Sequence, residues 1–448
     1  MFWKLFEKTF VVIALLLYTG AIAWCIPGES PASIIEEITA WLGVIFALLL
    51  LVLNWKHAAY LLLKNPLLIS FILLVPASLL WSDFPTITFW KVVPFLRVTI
   101  FGIYFAVRFN IREQMKLLTW MFGIAAILCI IFAVALPMYG IAGMGFIANS
   151  QDEVHTGAWR GIYIHKTMLG TMMSLGISSF LLNWFSYPKE RLISGCGIFL
   201  CTMVLLFSTT KGAIAVLILS GSLIPLCRPF LSHYKLRVPF FTMTFLIIFC
   251  LMFFTANYAE ETLGMLGRDI TISGRTNYWP LMLNRLWERP WFGYGYETFW
   301  VGGWHGEPAS IWRFLADGDE PPHAHNGYIH LWFDVGLSGL IIFSLSYFLN
   351  VLRAISWLQF RTNIDGLVPI IYLAQFGLFN LTESFLARPE IFWLFYVSIT
   401  LSMCSFSQFS SNWSYEFEAE AEAKEYKNSA IFQRFTGNSE ILQNRRSF

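Results

Sequence analysis

The sequence predicts an all-α polytopic membrane protein with about twelve transmembrane helices and one large outward loop that is itself partly helical. Three observations carry that prediction. Hydrophobic residues make up 57% of the 448 positions and charged residues only 13%, about half the ~25% charged share of soluble domains. The apolar residues fall into runs close to the ~20 residues that a helix needs to cross a bilayer. Lys and Arg, finally, occupy alternate connections between those runs, the pattern expected when positive residues are retained on one side of a membrane.

In chain order the runs lie near residues 9–27, 39–55, 66–81, 86–108, 115–137, 164–187, 192–208, 212–227, 236–257, 327–350, 366–384 and 390–409. The third, seventh and eighth are short for a span. The first resembles the core of a signal peptide but lacks a small-residue cleavage pattern, so it reads as a retained first helix. Lys4 and Lys8, then Lys56 and Lys64, then Arg108, Arg112 and Lys116 fall in connections on one side. Lys189 and Arg191, then Arg228, Lys235 and Arg237, then Arg353 and Arg361 continue the alternation. That side is read as cytoplasmic, with both termini on it. The intervening loops carry Glu29, Glu36, Glu37, Asp83, Asp152, Glu153, Asp317, Asp319 and Glu320 and face outward.

Residues 1–409 therefore form one polytopic domain with outward loops at 138–161 and 258–325. The second loop far exceeds the median connection of about 4–6 residues, so it should carry structure and function. Within it, Arg275–Trp287 reads as a helix: Thr276 or Asn277 caps it, Pro280 is tolerated in the first turn, and Trp279, Met282, Leu283, Leu286 and Trp287 recur at helical spacing. Such a Trp-rich amphipathic helix suits a lipid interface. Residues 410–448 form an acidic tail, helix-prone where Glu416, Glu418, Glu420, Glu422 and Glu425 alternate with Ala and Lys and polar beyond. The seven cysteines lie in or beside apolar runs without paired spacing and read as buried thiols, with no disulfide and no structural zinc. A net charge of +2, dispersed along the chain, argues against a nucleic-acid partner.

Once the cytoplasmic set and the tail are set aside, Lys91, Arg97, Arg160, Lys166, Lys211, Arg268, Arg275, Arg285, Arg289, Arg313 and Arg388 remain. A cation near the membrane is costly unless it faces a partner or a polar cavity. Several of these sit at outward helix ends, where a diphosphate is a natural partner. For any one of them, interfacial snorkelling or a structural ion pair is an adequate account. Arg160 and Arg275 are the stronger ligand candidates, since guanidinium binds phosphate oxygens bidentately and keeps its charge in an apolar site. His325, at the edge between the large loop and the tenth run, is the candidate base. Asn326 beside it is placed to orient a sugar or the imidazole, while His323 and His330 are secondary alternatives. Glu383 and Asp83 read as structural partners for arginines. No Gly-rich phosphate loop, His-Glu-x-x-His motif or acidic pair spaced for a divalent metal is present.

Several motifs, in order, are similar to those of a known family. His325-Asn326, nine residues and then Gly336-Leu337-Ser338-Gly339 resembles the signature of the O-antigen ligase and Wzy polymerase superfamily. Ser273-Gly274-Arg275 through Trp279, and Pro290-Trp291-Phe292-Gly293-Tyr294-Gly295, resemble that superfamily's large periplasmic loop. Trp81-Ser82-Asp83, Arg160-Gly161 with His165-Lys166 and Gly170, Ser208-Thr209-Thr210-Lys211 and Thr382-Glu383-Ser384 extend the likeness over roughly residues 70–400.

The resemblance implies a GT-C-like membrane glycosyltransferase in the bacterial inner membrane, with its active site facing the periplasm and no cofactor or metal. The implied donor is a glycan on undecaprenyl diphosphate, and the acceptor is a glycan or lipid A core hydroxyl. Membrane lipids, and other polysaccharide export proteins, are the further partners. On this mapping His325 is the catalytic base, and Arg160 and Arg275 hold the diphosphate. His165, Lys166, Lys211, Arg268, Asn326 and Glu383 bind substrate, Arg268 being an alternative to Arg275. Within the superfamily the motifs look closest to the ExoQ-like exopolysaccharide polymerases, with O-antigen ligase and protein O-oligosaccharyltransferase as alternatives. A lipid-linked glycan transporter, or a chain-length regulator contacting partners through the acidic tail, are the readings from other classes.

Overall fold

The computed structural model describes residues 2–21, 31–144, 155–224, 275–299, 324–358 and 364–404. Within them the regular structure is helical, with one isolated bridge between Ile141 and Trp159. In order the helices are α1 (Phe2–Leu17), α2 (Pro31–Leu53), α3 (Trp55–Leu63), α4 (Pro66–Ala77), α5 (Pro85–Arg108), α6 (Ile111–Ala135) and α7 (Pro137–Gly140). Then come α8 (Lys166–Ser186), α9 (Arg191–Phe207), α10 (Lys211–Gly221), α11 (Arg275–Glu288), α12 (Gly327–Trp357), α13 (Val368–Phe379) and α14 (Ile391–Cys404).

Among the described residues, five helices are long and apolar enough to cross a membrane: α5, α6, α8, α9 with the turn before it, and α12. The bent pair α2–α3 adds a sixth, and α4, α10, α13 and α14 are shorter apolar helices. The expected span at 236–257 and the acidic tail lie outside the described residues.

Two connections differ from the sequence reading. The run at 39–55 does not end in a loop; the chain bends by 91° and continues as α3. Asn54 makes the bend, its amide group donating to Leu50 O while its carbonyl accepts from His57 N and Ala58 N to start the next helix. Arg112 and Lys116 lie on the first turns of α6 rather than in a loop, because Asn110 and Glu113 form a reciprocal capping box that starts the helix at Ile111. Cys196 is exposed rather than buried, unlike Cys129 and Cys201.

The helix ends sort into two groups. At one end, Arg108 pairs with Glu7, Lys116 pairs with Glu190, and Arg353 donates to Asn65. Asn65 in turn contacts Cys404, and Gln114 bonds Ser402, so α14 finishes there too. At the opposite end Ile391 N donates to Tyr18 O, Trp159 N donates to Phe207 O, and Thr210 Oγ1 donates to Lys166 O. Helices α8 and α13 run antiparallel, since Gln375 reaches Ser178 and Tyr372 reaches Ser179. The amino end of α8 and the carboxyl end of α13 therefore share this second end.

Between the two ends lies an aromatic core of Phe71, Phe95, Phe343, Trp393 and Tyr396. Its polar atoms are satisfied inside the core: the Trp393 indole donates to Thr99 Oγ1, and Asn350 donates to Tyr396 and Thr400.

Helix α12 is interrupted where the site is built. Gly336 has φ 69° and ψ −174°, which opens the helical ladder. The freed carbonyls of Phe333 and Asp334 accept from Tyr294 N and Gly295 N, while Leu337 N and Ser338 N donate to Pro290 O and Trp291 O. A Cβ on Gly336 would lie 2.2 Å from the Trp291 backbone, and one on Gly293 would lie 2.4 Å from Phe333 O. The two glycine-bearing motifs are thus halves of one docking joint between the 290–298 loop and α12. Trp81 donates to Phe292 O, Ser82 and Thr88 bond Thr298, and Asp83 pairs with Arg289. Trp81-Ser82-Asp83 therefore clamps the same loop.

Candidate active site

His325 precedes α12 with a left-handed backbone, φ 49°. A non-glycine residue is held there only when its surroundings over-determine it, and such residues cluster at functional sites. The surroundings are visible. Asn326 caps α12, its side-chain oxygen accepting from Tyr328 N and Ile329 N. Gly327 N donates to Asn380 O, and a Cβ at Gly327 would collide with the Asn380 side chain. Asn380 also accepts from Phe385 N through Oδ1 and donates to Phe376 O. One buried asparagine thus fixes both the His325 turn and the loop carrying Glu383. Across that junction, Glu383 Oε2 lies 3.9 Å from His325 Nδ1, and both side chains are partly exposed, at 16% and 25%. The separation is beyond hydrogen-bond reach but close enough for a carboxylate to stabilise an imidazolium.

Arg160, Lys166 and Lys211 lie at the same end of the bundle. Arg160 is almost fully buried, with Nε donating to Tyr139 O at 2.8 Å and Nη2 to Met138 O at 3.4 Å. It sits in a hairpin-like crossing where Trp159 stacks on Phe207 and Gly161 passes against Cys129. His165 caps α8, its Nδ1 accepting from Thr167 N, and its ring meets that of His155. Lys166 and Lys211 begin α8 and α10, two helix starts joined by Thr210 and packed at Gly170.

Arg275 begins α11, and Arg268 lies outside the described residues. Met282 and Leu286 of α11 are buried with Phe299, Phe333 and Ala324, the neighbour of His325. That packing seats α11 on the start of α12. Trp287 remains exposed, edge-on to Trp332. His323 and Arg313 also fall outside the described residues.

Sequence reasoning missed a buried cluster below this junction. Glu297, in the docked loop with φ 57°, accepts from Arg388 Nη1 at 2.9 Å and faces His330 Nε2 at 3.1 Å. Asp334 Oδ1 accepts from Glu297 N, and its Oδ2 lies 3.4 Å from the same His330 nitrogen. Burial opposes the Glu297 charge, but Arg388 above all, and then His330, pull its pKa down to about 2. Burial works against the Arg388 charge as well, and Glu297 and Glu390 outweigh it, so the guanidinium pKa is raised. Burial lifts Glu390 to about 7.

Glu297, His330 and Asp334 each offer one ligand atom, all within 4.8 Å of one another. A divalent ion would find three donors there and a guanidinium already bound to one of them. The sequence signal was the i,i+4 pair His330 and Asp334 on an apolar helix. The acidic partner stayed hidden because Glu297 is 37 residues away.

The described residues form an all-helical bundle with five or six apolar helices long enough to cross a membrane, consistent with a multi-pass membrane protein, and a polar site is assembled at one end of it. The O-antigen ligase family profile matches residues 196–344, a stretch holding Lys211, α11, the docked loop, His325 and the Gly336 kink. The chain is also 26% identical over 201 residues to the exopolysaccharide production protein ExoQ of Rhizobium meliloti (strain 1021), covering 42% of this chain and 45% of that protein's length. Both matches cover only part of the chain, and they mark that part as similar to the O-antigen ligase family and to this exopolysaccharide protein.

Proposed function

We propose that this protein moves a glycan from undecaprenyl diphosphate to a sugar hydroxyl at the periplasmic face of the inner membrane, polymerising exopolysaccharide repeat units. The observation that carries the reading is His325, held in a left-handed turn beside Glu383 at the edge of a membrane helix, inside the family-matched stretch. His325 takes the proton of the acceptor hydroxyl as its oxygen attacks the anomeric carbon and the bond to diphosphate breaks, inverting that carbon. Glu383 stabilises the imidazolium so formed. Lys166, Lys211 and Arg160, with Arg275 or Arg268 from the large loop, supply positive charge where the departing diphosphate gathers negative charge. The name of the rhizobial relative favours exopolysaccharide over lipid A core as the end product.

The test is glycan profiling of a deletion strain complemented with wild-type, His325→Ala or Arg160→Ala protein. Loss of long polymer with single repeat units remaining supports polymerisation. Loss of lipid A attachment alone supports the ligase alternative. Full-length polymer in both variants contradicts the assigned roles.

A further inference from the structure

The cluster below the junction has no part in the chemistry just described, yet it is the most heavily charged buried site among the described residues. Three segments meet in it: the docked loop through Tyr296 and Glu297, α12 through His330 and Asp334, and the 385–390 loop through Arg388 and Glu390. The same segments frame the junction above. His330 N donates to Asn326 O in the cap beside His325, and Arg388 N donates to Phe385 O, two residues beyond Glu383. Tyr296 OH donates to Ala387 O, whose residue has φ 55°.

Charge counting shows what holds the cluster together. Glu297, Asp334 and Glu390 oppose Arg388, with Lys91 of α5 contributing at longer range to Glu297. In a site this buried, that leaves negative charge in excess, and an isolated buried carboxylate is costly. Among the described residues, none donates a hydrogen bond to Asp334 Oδ2 or Glu390 Oε2, although both atoms are buried. A proton relieves this cost at either position, and His330 Nε2, between Glu297 and Asp334, is placed to share one.

Resting on the transferase reading above, we propose that Glu297, His330, Asp334 and Arg388 are positioning residues: a buried lock of one ion pair and shared protons that holds His325 and Glu383 at their working separation. They touch neither the sugar nor the diphosphate. They act by fixing the backbone segments from which the two junction side chains project.

The experiment measures kcat and KM of the purified full chain joining lipid-linked oligosaccharides in detergent, across pH, for wild type, Glu297→Gln, Arg388→Gln, their double variant and Asp334→Asn. Each single change at the ion pair should lower kcat by at least ~10-fold with KM within ~3-fold, while the double variant, which removes both charges, should recover activity above either single. Asp334→Asn, an imitation of the protonated acid, should keep wild-type kcat near neutral pH and flatten the decline at high pH.

Four results would overturn the inference. These are Glu297→Gln and Arg388→Gln at wild-type kcat, a double variant whose losses simply multiply, an Asp334→Asn profile identical to wild type, or one divalent ion per purified chain that Asp334→Asn loses. Should Glu297→Gln not accumulate, the double variant and Asp334→Asn, which keep charge balance, carry the same test. A wild-type protein inert in this assay removes the transferase reading and the inference with it; an active wild type with unaffected variants removes the inference alone.

Discussion

The two ends of the helix bundle handle charge in opposite ways. At the end with Glu7, Glu190 and Arg353, cations pair near the surface beside ordinary helix ends, and Arg108 and Lys116 are about two-fifths exposed. At the other end lie all the non-glycine residues with positive φ among those described: Thr209, Glu297, His325 and Ala387. There an arginine and carboxylates are buried together, and backbone strain is stored beside them. One end finishes helices; the other gives up backbone comfort to place side chains.

The sharpest way to break that comparison is His325→Ala, which should reduce transfer at least ~100-fold, while Arg108→Ala at the opposite end should leave transfer within ~3-fold and only lower the thermal midpoint. Equal losses would erase the distinction. Gly336→Ala comes next, because the new Cβ meets the Trp291 backbone in a left-handed conformation. It should undock the 290–298 loop, exposing it to limited proteolysis and removing most activity. Glu383→Gln should be milder, about 10-fold in kcat, since the imidazolium loses its anionic neighbour.

Two glutamates sharpen the contrast through stability. Glu390 is raised by burial to about 7, so its contribution is complete below the usual value of 4.5 and is lost as pH rises through 7. Glu297 is lowered to about 2 because Arg388 and His330 outweigh its burial, so its contribution is present above 4.5 and is lost as pH falls toward 2. Thermal midpoints from about pH 2 to 8 should therefore lose their decline on the alkaline side in Glu390→Gln. In Glu297→Gln they should lose their decline on the acid side. The smallest effect belongs to Asn110→Ala, which removes the α6 cap for about 1 kcal/mol of stability and leaves transfer unchanged.

The helices were legible in the apolar runs, and the start of α6 could have been read from Asn110 and Glu113. The right-angle turn into α3 was not, because it depends on a single side chain, Asn54, reaching back one helical turn. The glycine motifs were visible as motifs, but their physical meaning needed the fold: Gly336 and Gly293 are small because two backbones pass within contact. His325 and Glu383 were each singled out, while their pairing was not, since Asn380 brings them together from distant segments. The Glu297–Arg388 pair was illegible for the same reason, its members lying 91 residues apart. Local patterns announce elements and caps; a site assembled from chain segments far apart announces only its parts.

On the proposed function, the strained end is a catalytic centre rather than a passage for a lipid-linked glycan. The direct measurement incubates purified protein with lipid-linked oligosaccharides in detergent, where no compartments exist, and follows product length. Joined products with wild type and none with His325→Ala are the predicted result. Unchanged oligosaccharides with wild type, or equal joining by the variant, would contradict it.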